Sequence, residues 1–234
     1  NAADPYAMNW LGVNNTWGTV KNAKVVSVTP TENGINAVYE TYYLRITAER
    51  ALCGDTYRET YTLENRLEGD VFCNRGDFGI YAPFRDSYAN AKVCMTERCN
   101  TNIWCGRNTS YINAVKMGLC DFGLGLVLTE GSLDSYSIDR ILHVVNSLGN
   151  LGSDDRGDFI LHPTPFRLRP GEKIKLSWEM FWYKDGHFRE ELEKRQDLIL
   201  IDSENFTVFS NEKIAFTVNH PNASVFLDGK SIPV

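Results

Sequence analysis

No apolar run in this 234-residue chain approaches the roughly 20 residues that a membrane-spanning helix needs. Positive charge is also in short supply. The 24 Lys and Arg are outnumbered by 30 Asp and Glu, for a net charge of −6. They are scattered rather than gathered into a patch, so nothing here is set to neutralise a run of phosphates. Nucleic acid and membrane are therefore not expected as partners. The short signatures of familiar chemistry are missing too. There is no G-x-S-x-G, no P-loop and no H-E-x-x-H. The six cysteines include no C-x2-C pair of the zinc-ribbon kind. Helical periodicity is nearly absent, as are internal repeats and low-complexity tracts. The chain begins Asn1-Ala2 instead of Met, which reads as the remnant of a tag and is left out of fold reasoning. Four Asn-x-Ser/Thr triplets, at Asn14, Asn108, Asn205 and Asn222, arise by chance in a chain rich in those residues. The compartment stays open between cytoplasm, which is favoured, and secretion.

What is present is a β pattern. At 43% apolar and 12% aromatic, the composition supports a real core. "TWGTVKNAKVVSV" (16–28) runs into a Pro-Thr-Glu-Asn-Gly turn, and "INAVYETYYLRITAER" (35–50) reads as one long strand. A Cys-Gly-Asp turn leads into "DTYRETYTLENRL" (55–67), which alternates along its length. Further strands are expected at 77–83, 110–118, 122–130, 158–163 and 173–184, the last entered through Arg-Pro-Gly-Glu. Only "HFREELEKRQ" (187–196) reads as a helix, short and charged, with Glu190 and Lys194 at i,i+4. More than ten strands at short spacing predict an all-β fold, a large antiparallel sandwich with one or two short helices. The expected organisation is an N-terminal extension over 1–14, a main domain over 15–200, and strands over 201–234. Those last strands either pack on the main domain, the favoured reading, or begin a further β module.

Two stretches give this sandwich a relative. "YTLENRLEGDVFCNRGDFGIY" (61–81) and "FRLRPGEKIKLSWEMFWY" (166–183) together resemble the β-supersandwich domain of galactose-mutarotase-like type. The segments 123–140 and 153–172 are similar to those of uncharacterised gut-bacterial proteins of this kind. The resemblance covers about residues 15–200 and rests on strand-turn patterns. It implies a domain of a carbohydrate-active enzyme, often placed beside an (α/α) toroid. It transfers no catalytic residue.

The stretch "CMTERCNTNIWCG" (94–106) carries three of the cysteines. Its spacing and the lack of a nearby His argue against zinc. A domain of this size does not need disulfide staples, so buried free thiols are expected. The polar segment 84–108 is expected to be a long loop with Trp104 facing outward. Trp104 there sits among Asn100, Asn102, Arg107 and Asn108. A flat ring beside amides and guanidinium groups suits a sugar, so Trp104, Asn102, Arg107 and Arg85 are the candidate carbohydrate-binding residues. Trp178 and Trp182, four apart in one strand, are expected on one face of the core, and Trp10 and Trp17 over the sandwich edge. "SDDRGD" (153–158) is weighed as a calcium loop and as a solvated turn. Glu130 and Asp134 are weighed as an acid/base pair and as strand-end solubilisers. His143 and His162 sit in no recognisable motif. No catalytic residue, metal or cofactor is assigned. The sequence points to a non-catalytic domain of a longer glycoside hydrolase- or lyase-like protein, with weakly bound carbohydrate and an adjacent catalytic domain as partners. A stand-alone sugar epimerase or lyase and an extracellular adhesion sandwich are the alternatives.

Overall fold

The computed structural model describes residues 13–15, 24–85, 99–116, 121–139, 158–195 and 198–232. The chain forms two units, Asn1–Arg195 and Gln196–Val234. More than half of the described residues lie in strands, and one helix occurs among them. The first strands are β1 (Val13–Asn15), β2 (Lys24–Thr31), β3 (Gly34–Glu40), β4 (Leu44–Cys53), β5 (Thr56–Asn65), β6 (Val71–Cys73) and β7 (Phe78–Arg85). They are followed by β8 (Cys99–Trp104), β9 (Tyr111–Lys116), β10 (Phe122–Glu130), β11 (Leu133–Asp139), β12 (Asp158–Pro163), β13 (Phe166–Leu168) and β14 (Lys173–Lys184). Helix α1 (Phe188–Arg195) closes the first unit.

An eight-stranded antiparallel sheet runs in the order β2-β3-β4-β5-β14-β10-β9-β8, and a four-stranded sheet in the order β1-β7-β12-β11. Alternate residues of both sheets enter one core. The large sheet supplies Leu44, Ile46, Tyr61, Leu63, Leu176, Trp178, Met180, Leu126 and Ile112; the small one supplies Phe78, Ile80, Phe159, Leu161 and Leu133. This is the all-β sandwich that the sequence predicts.

Three local outcomes depart from the sequence reading. The stretch 35–50 is not one strand. Buried Thr41 breaks it by accepting the Leu44 amide on its hydroxyl at 2.8 Å, while its own amide donates to the Leu44 carbonyl at 2.8 Å. That local side-chain bond overrides the β preference of Tyr42 and Tyr43. Trp178 and Trp182 share strand parity, but Trp178 is fully buried and Trp182 is 54% exposed. The ladder between β14 and β5 ends at Met180–Tyr57, so Trp182 projects past the end of β5. Finally, Lys194 pairs with Glu191 at 2.7 Å, three residues away, while Glu190 takes His187 at 3.0 Å. The i,i+4 pairs of α1 are Arg189–Glu193 and Glu191–Arg195. The helix is anchored to the large sheet. Leu192 is buried, and Phe188 packs on Tyr111, Phe181 and Tyr183.

The turns follow their sequence signals. Gly54 takes φ 67° between β4 and β5, and Gly171 takes φ 73° before β14. In the second unit, β15 (Ile201–Asp202) pairs with β16 (Thr217–Val218), and β17 (Val225–Leu227) with β18 (Lys230–Ile232). The β17–β18 hairpin turns through Asp228-Gly229, both at positive φ, as a two-residue primed turn requires.

Candidate functional site

The outward face of the large sheet is built around two missing side chains. On β10, Gly123 lies opposite Tyr183 and Gly125 opposite Phe181. A Cβ at Gly123 would stand 2.1 Å from the Tyr183 ring, and one at Gly125 would stand 2.5 Å from the Phe181 ring. Glycine therefore lets both rings of β14 lie flat across β10. Phe188 of α1 then closes over them, with ring centroids 5.1 Å from Tyr183, 6.4 Å from Phe181 and 5.6 Å from Tyr111. The Arg195 guanidinium sits 4.0 Å above the Phe181 ring.

Beyond β10 the same face continues onto β9 and the edge strand β8. The ladder sets Asn102 opposite Asn113 and Trp104 opposite Tyr111. Along β8, Ile103 turns inward onto the core, while Asn100, Asn102 and Trp104 face outward. Trp104 is 55% exposed. Its indole lies over the backbone of Gly106, where a Cβ would meet Nε1 at 2.2 Å. The turn that follows is tightly held: the Thr109 hydroxyl donates to the Gly106 carbonyl at 2.7 Å and the Ser110 hydroxyl to the Arg107 carbonyl at 2.6 Å. The Tyr183 hydroxyl donates to Asn113 Oδ1. An exposed indole, an exposed carboxamide and a second carboxamide fixed by Tyr183 thus share one face.

The four residues proposed from sequence are not all brought together. Trp104 and Asn102 share this face. Arg107 is exposed just past β8, in the left-handed region at φ 61°. Its amide and carbonyl are bonded to Leu133 at 3.0 and 3.2 Å, so its backbone joins the edge of the large sheet to the start of β11. Arg85 lies elsewhere. It ends β7 beside Asp158, whose other ladder partner is Asp139 at the far end of β11. Six residues of strand, about 20 Å, separate that end from Leu133. Residues 99–104 are strand and not loop, while 86–98 lie outside the described residues. Sequence reasoning missed Asn113, Tyr183 and Phe188. A Gly-x-Gly strand facing Phe-x-Tyr, with a polar residue mid-strand in "YINAVK", is the signal that marks them.

The other sequence candidates resolve differently. Asp134 pairs with Arg75, while Glu130 lines an open cleft of about 400 Å³ with Ser132, Thr164 and Lys175. The two are not turned toward one site. His162 is buried with both ring nitrogens engaged, Nε2 with the Ser137 hydroxyl and Nδ1 with the Phe78 carbonyl, each at 2.8 Å. Of the thiols described, Cys73 is buried, Cys105 half-buried and Cys53 exposed at a strand end, against the expectation of burial. Burial first, then Asp77, pushes Cys73 up to about 12, and burial with Asp134 pushes Cys105 up to about 11. Cys94 and Cys120, His143, Trp10, Trp17 and nearly all of 153–158 lie outside the described residues. Among the described residues no three His, Cys, Asp or Glu gather as a metal site.

A cross-strand row runs over the inner face, Ile35, Arg50, Glu59, Trp178 and Leu128 standing opposite one another on successive strands, with buried Arg50, Glu59 and Trp178 as its polar centre. The Glu59 carboxyl receives Arg50 Nε at 3.0 Å, the Tyr57 hydroxyl at 3.2 Å and Trp178 Nε1 at 2.8 Å. Burial pushes this carboxyl above its ordinary value, opposed by Arg50 and by the three hydrogen bonds.

No protein-family model matches the chain, and no curated protein does. Among solved structures, the chain matches a polysaccharide lyase with a TM-score of 0.74 and 25% identity, covering 97% of this chain and 34% of the lyase. It thus spans about a third of that protein's length. Fainter likenesses are to the galactosidase domain of an alpha-galactosidase-sucrose kinase (TM-score 0.41, 10% identity, 74% and 29% covered) and to a heparinase III (TM-score 0.37, 10% identity, 88% and 28% covered). The fold is that of a β-sandwich found in carbohydrate-active proteins.

Proposed function

We propose that this chain is a non-catalytic β-supersandwich domain, of galactose-mutarotase-like type, from a longer carbohydrate-active protein. In this reading it lends the face around Trp104 and Asn102 to a sugar site. The observation that carries the proposal is the lyase match, which takes in 97% of this chain but 34% of the lyase. The local chemistry supports it. An exposed indole offers a flat apolar surface to the CH face of a pyranose, and exposed carboxamides both donate and accept for its hydroxyls. Affinity in the isolated domain is weak, near millimolar, or about −4 kcal/mol.

An adjacent catalytic domain of the same polypeptide is the proposed partner. All eight residues of β2 are exposed, Val25, Val26 and Val28 about half so. Val25 and Val28 extend the row of buried Tyr39 and Ala37 beyond the core. That overhang offers apolar surface for another body to cover.

The test incubates the chain alone with xylan, galactan, pectin and hyaluronan. New reducing or unsaturated ends are followed, and migration is compared in gels containing each polymer. The proposal expects retardation by at least one polymer and no new ends. Turnover by the chain alone would overturn the non-catalytic role.

A further inference from the structure

Asn113 is held in place by a side chain of the same face, from across β10. Its Oδ1 accepts the Tyr183 hydroxyl. The Tyr183 ring itself cannot move toward β10 or away from it: Gly123 lies beneath it and Phe188 packs against it at 5.1 Å. A carboxamide whose oxygen is engaged in this way has its two N–H donors left for other partners. Asn113 is half-buried, directly opposite exposed Asn102, and two ladder positions from the Trp104–Tyr111 pair, on the same face.

We propose that Tyr183 is a positioning residue for the sugar face: by engaging Asn113 Oδ1 it presents the Asn113 Nδ2 hydrogens to an acceptor oxygen of a ligand lying against Trp104 and Asn102. This rests on the carbohydrate reading of the face. The ligand is then a sugar with a hydroxyl or ring oxygen directed at the sheet. Selection is by an oriented amide donor, not by charge. The arrangement also gives the Gly-x-Gly of β10 a functional role, since any side chain at Gly123 displaces the ring that carries the hydroxyl.

The test is a double-mutant cycle on affinity, using whichever of xylan, galactan, pectin or hyaluronan retards the wild-type chain, with the Trp104→Ala variant beside it. Tyr183→Phe keeps the ring and its packing and removes only the donor. It is expected to weaken retention about fivefold, the worth of one ordinary hydrogen bond. Asn113→Asp still accepts the Tyr183 hydroxyl but has lost both N–H donors, and it is expected to weaken retention as well. Because Tyr183 acts through Asn113, adding Tyr183→Phe to Asn113→Asp costs nothing further. A purely structural tyrosine would show its full effect in both backgrounds. The inference is overturned if Tyr183→Phe is retained like wild type, or if its cost persists unchanged in the Asn113→Asp background. If wild type is not retarded at all, or Trp104→Ala is retarded as strongly as wild type, it is the sugar reading itself that fails.

Discussion

Trp178 and Glu59 stand directly opposite each other on β14 and β5, and the indole Nε1 donates to the Glu59 carboxyl at 2.8 Å in the middle of the core. Arg50 and Tyr57 complete the set of donors to that carboxyl. A buried polar group with this many partners is stable only while they are all present. Glu59→Ala removes the acceptor of Trp178 Nε1 and the carboxylate paired with Arg50, and is expected to cost about 3–5 kcal/mol. Glu59→Gln, which keeps one oxygen acceptor, costs less. Urea unfolding of the two variants beside wild type checks both the size and the order.

The same carboxyl gives stability a definite pH dependence. Its folded value is raised, with burial the leading cause. In the unfolded chain the proton leaves at the ordinary glutamate value; in the folded chain it is held to higher pH. The contribution of Glu59 is therefore fully present below the ordinary value and is lost as pH rises through the folded one. Glu191 has the opposite sign. Its hydrogen bond from Lys194 leads in lowering its value, so its contribution is present above the ordinary value and lost as pH falls through the lowered one. Unfolding free energies measured from about pH 3 to 8 are expected to show a slope in wild type that Glu59→Gln removes on the alkaline side. An unchanged slope contradicts this.

The glycines of β10 are expected to tolerate nothing larger. At Gly125→Ala the new Cβ falls 2.5 Å from the Phe181 ring. Relief requires the ring, and the helix above it, to shift, at about 1–3 kcal/mol. Near-ultraviolet circular dichroism reports the disturbed aromatic cluster, and thermal melting reports the loss.

Thiol reactivity separates the described cysteines. Cys53 is exposed, while Cys73 and Cys105 are held in thiol form by burial to about 12 and about 11. Since the thiolate is the nucleophile, brief iodoacetamide treatment at neutral pH followed by peptide mass spectrometry is expected to label Cys53 well before the other two. Equal labelling of Cys73 contradicts its placement in the core.

Much of the sandwich was legible because its strands alternate strongly. "KIKLSWEMFWYK" appears as β14 over its whole length, and the Gly-Asp and Asp-Gly turns fall where their backbone chemistry requires. What was not legible depends on contacts remote in sequence. Nothing in "ETYYL" marks Thr41 as a buried turn-former, because its hydroxyl works only after the chain has reversed. Trp182 emerges because β5 stops short beside it, and a single strand carries no record of its neighbour's length. The candidate site shows the same division. Trp104 and Asn102 were readable as near neighbours in a polar stretch, but as parts of a loop and not as two positions on one face of a strand. Asn113 and Tyr183 are 70 residues apart and joined by one hydrogen bond, which no local pattern encodes. Arg85 lies in the other sheet, at the end of β7 between β1 and β12 in the strand order, which no local pattern encodes.

The central claim is that the Trp104 face binds carbohydrate without contributing to the core. One comparison tests it most directly: affinity electrophoresis of wild type and Trp104→Ala in gels containing xylan, galactan, pectin or hyaluronan, with melting temperatures measured alongside. With Trp104 55% exposed on an edge strand, the account predicts that at least one polymer retards wild type, that Trp104→Ala runs as in a plain gel, and that the two melt within about 4 °C of each other, the equivalent of about 1 kcal/mol. A Trp104→Ala protein that is retarded like wild type, or that loses the roughly 3–5 kcal/mol of a core truncation, would contradict it.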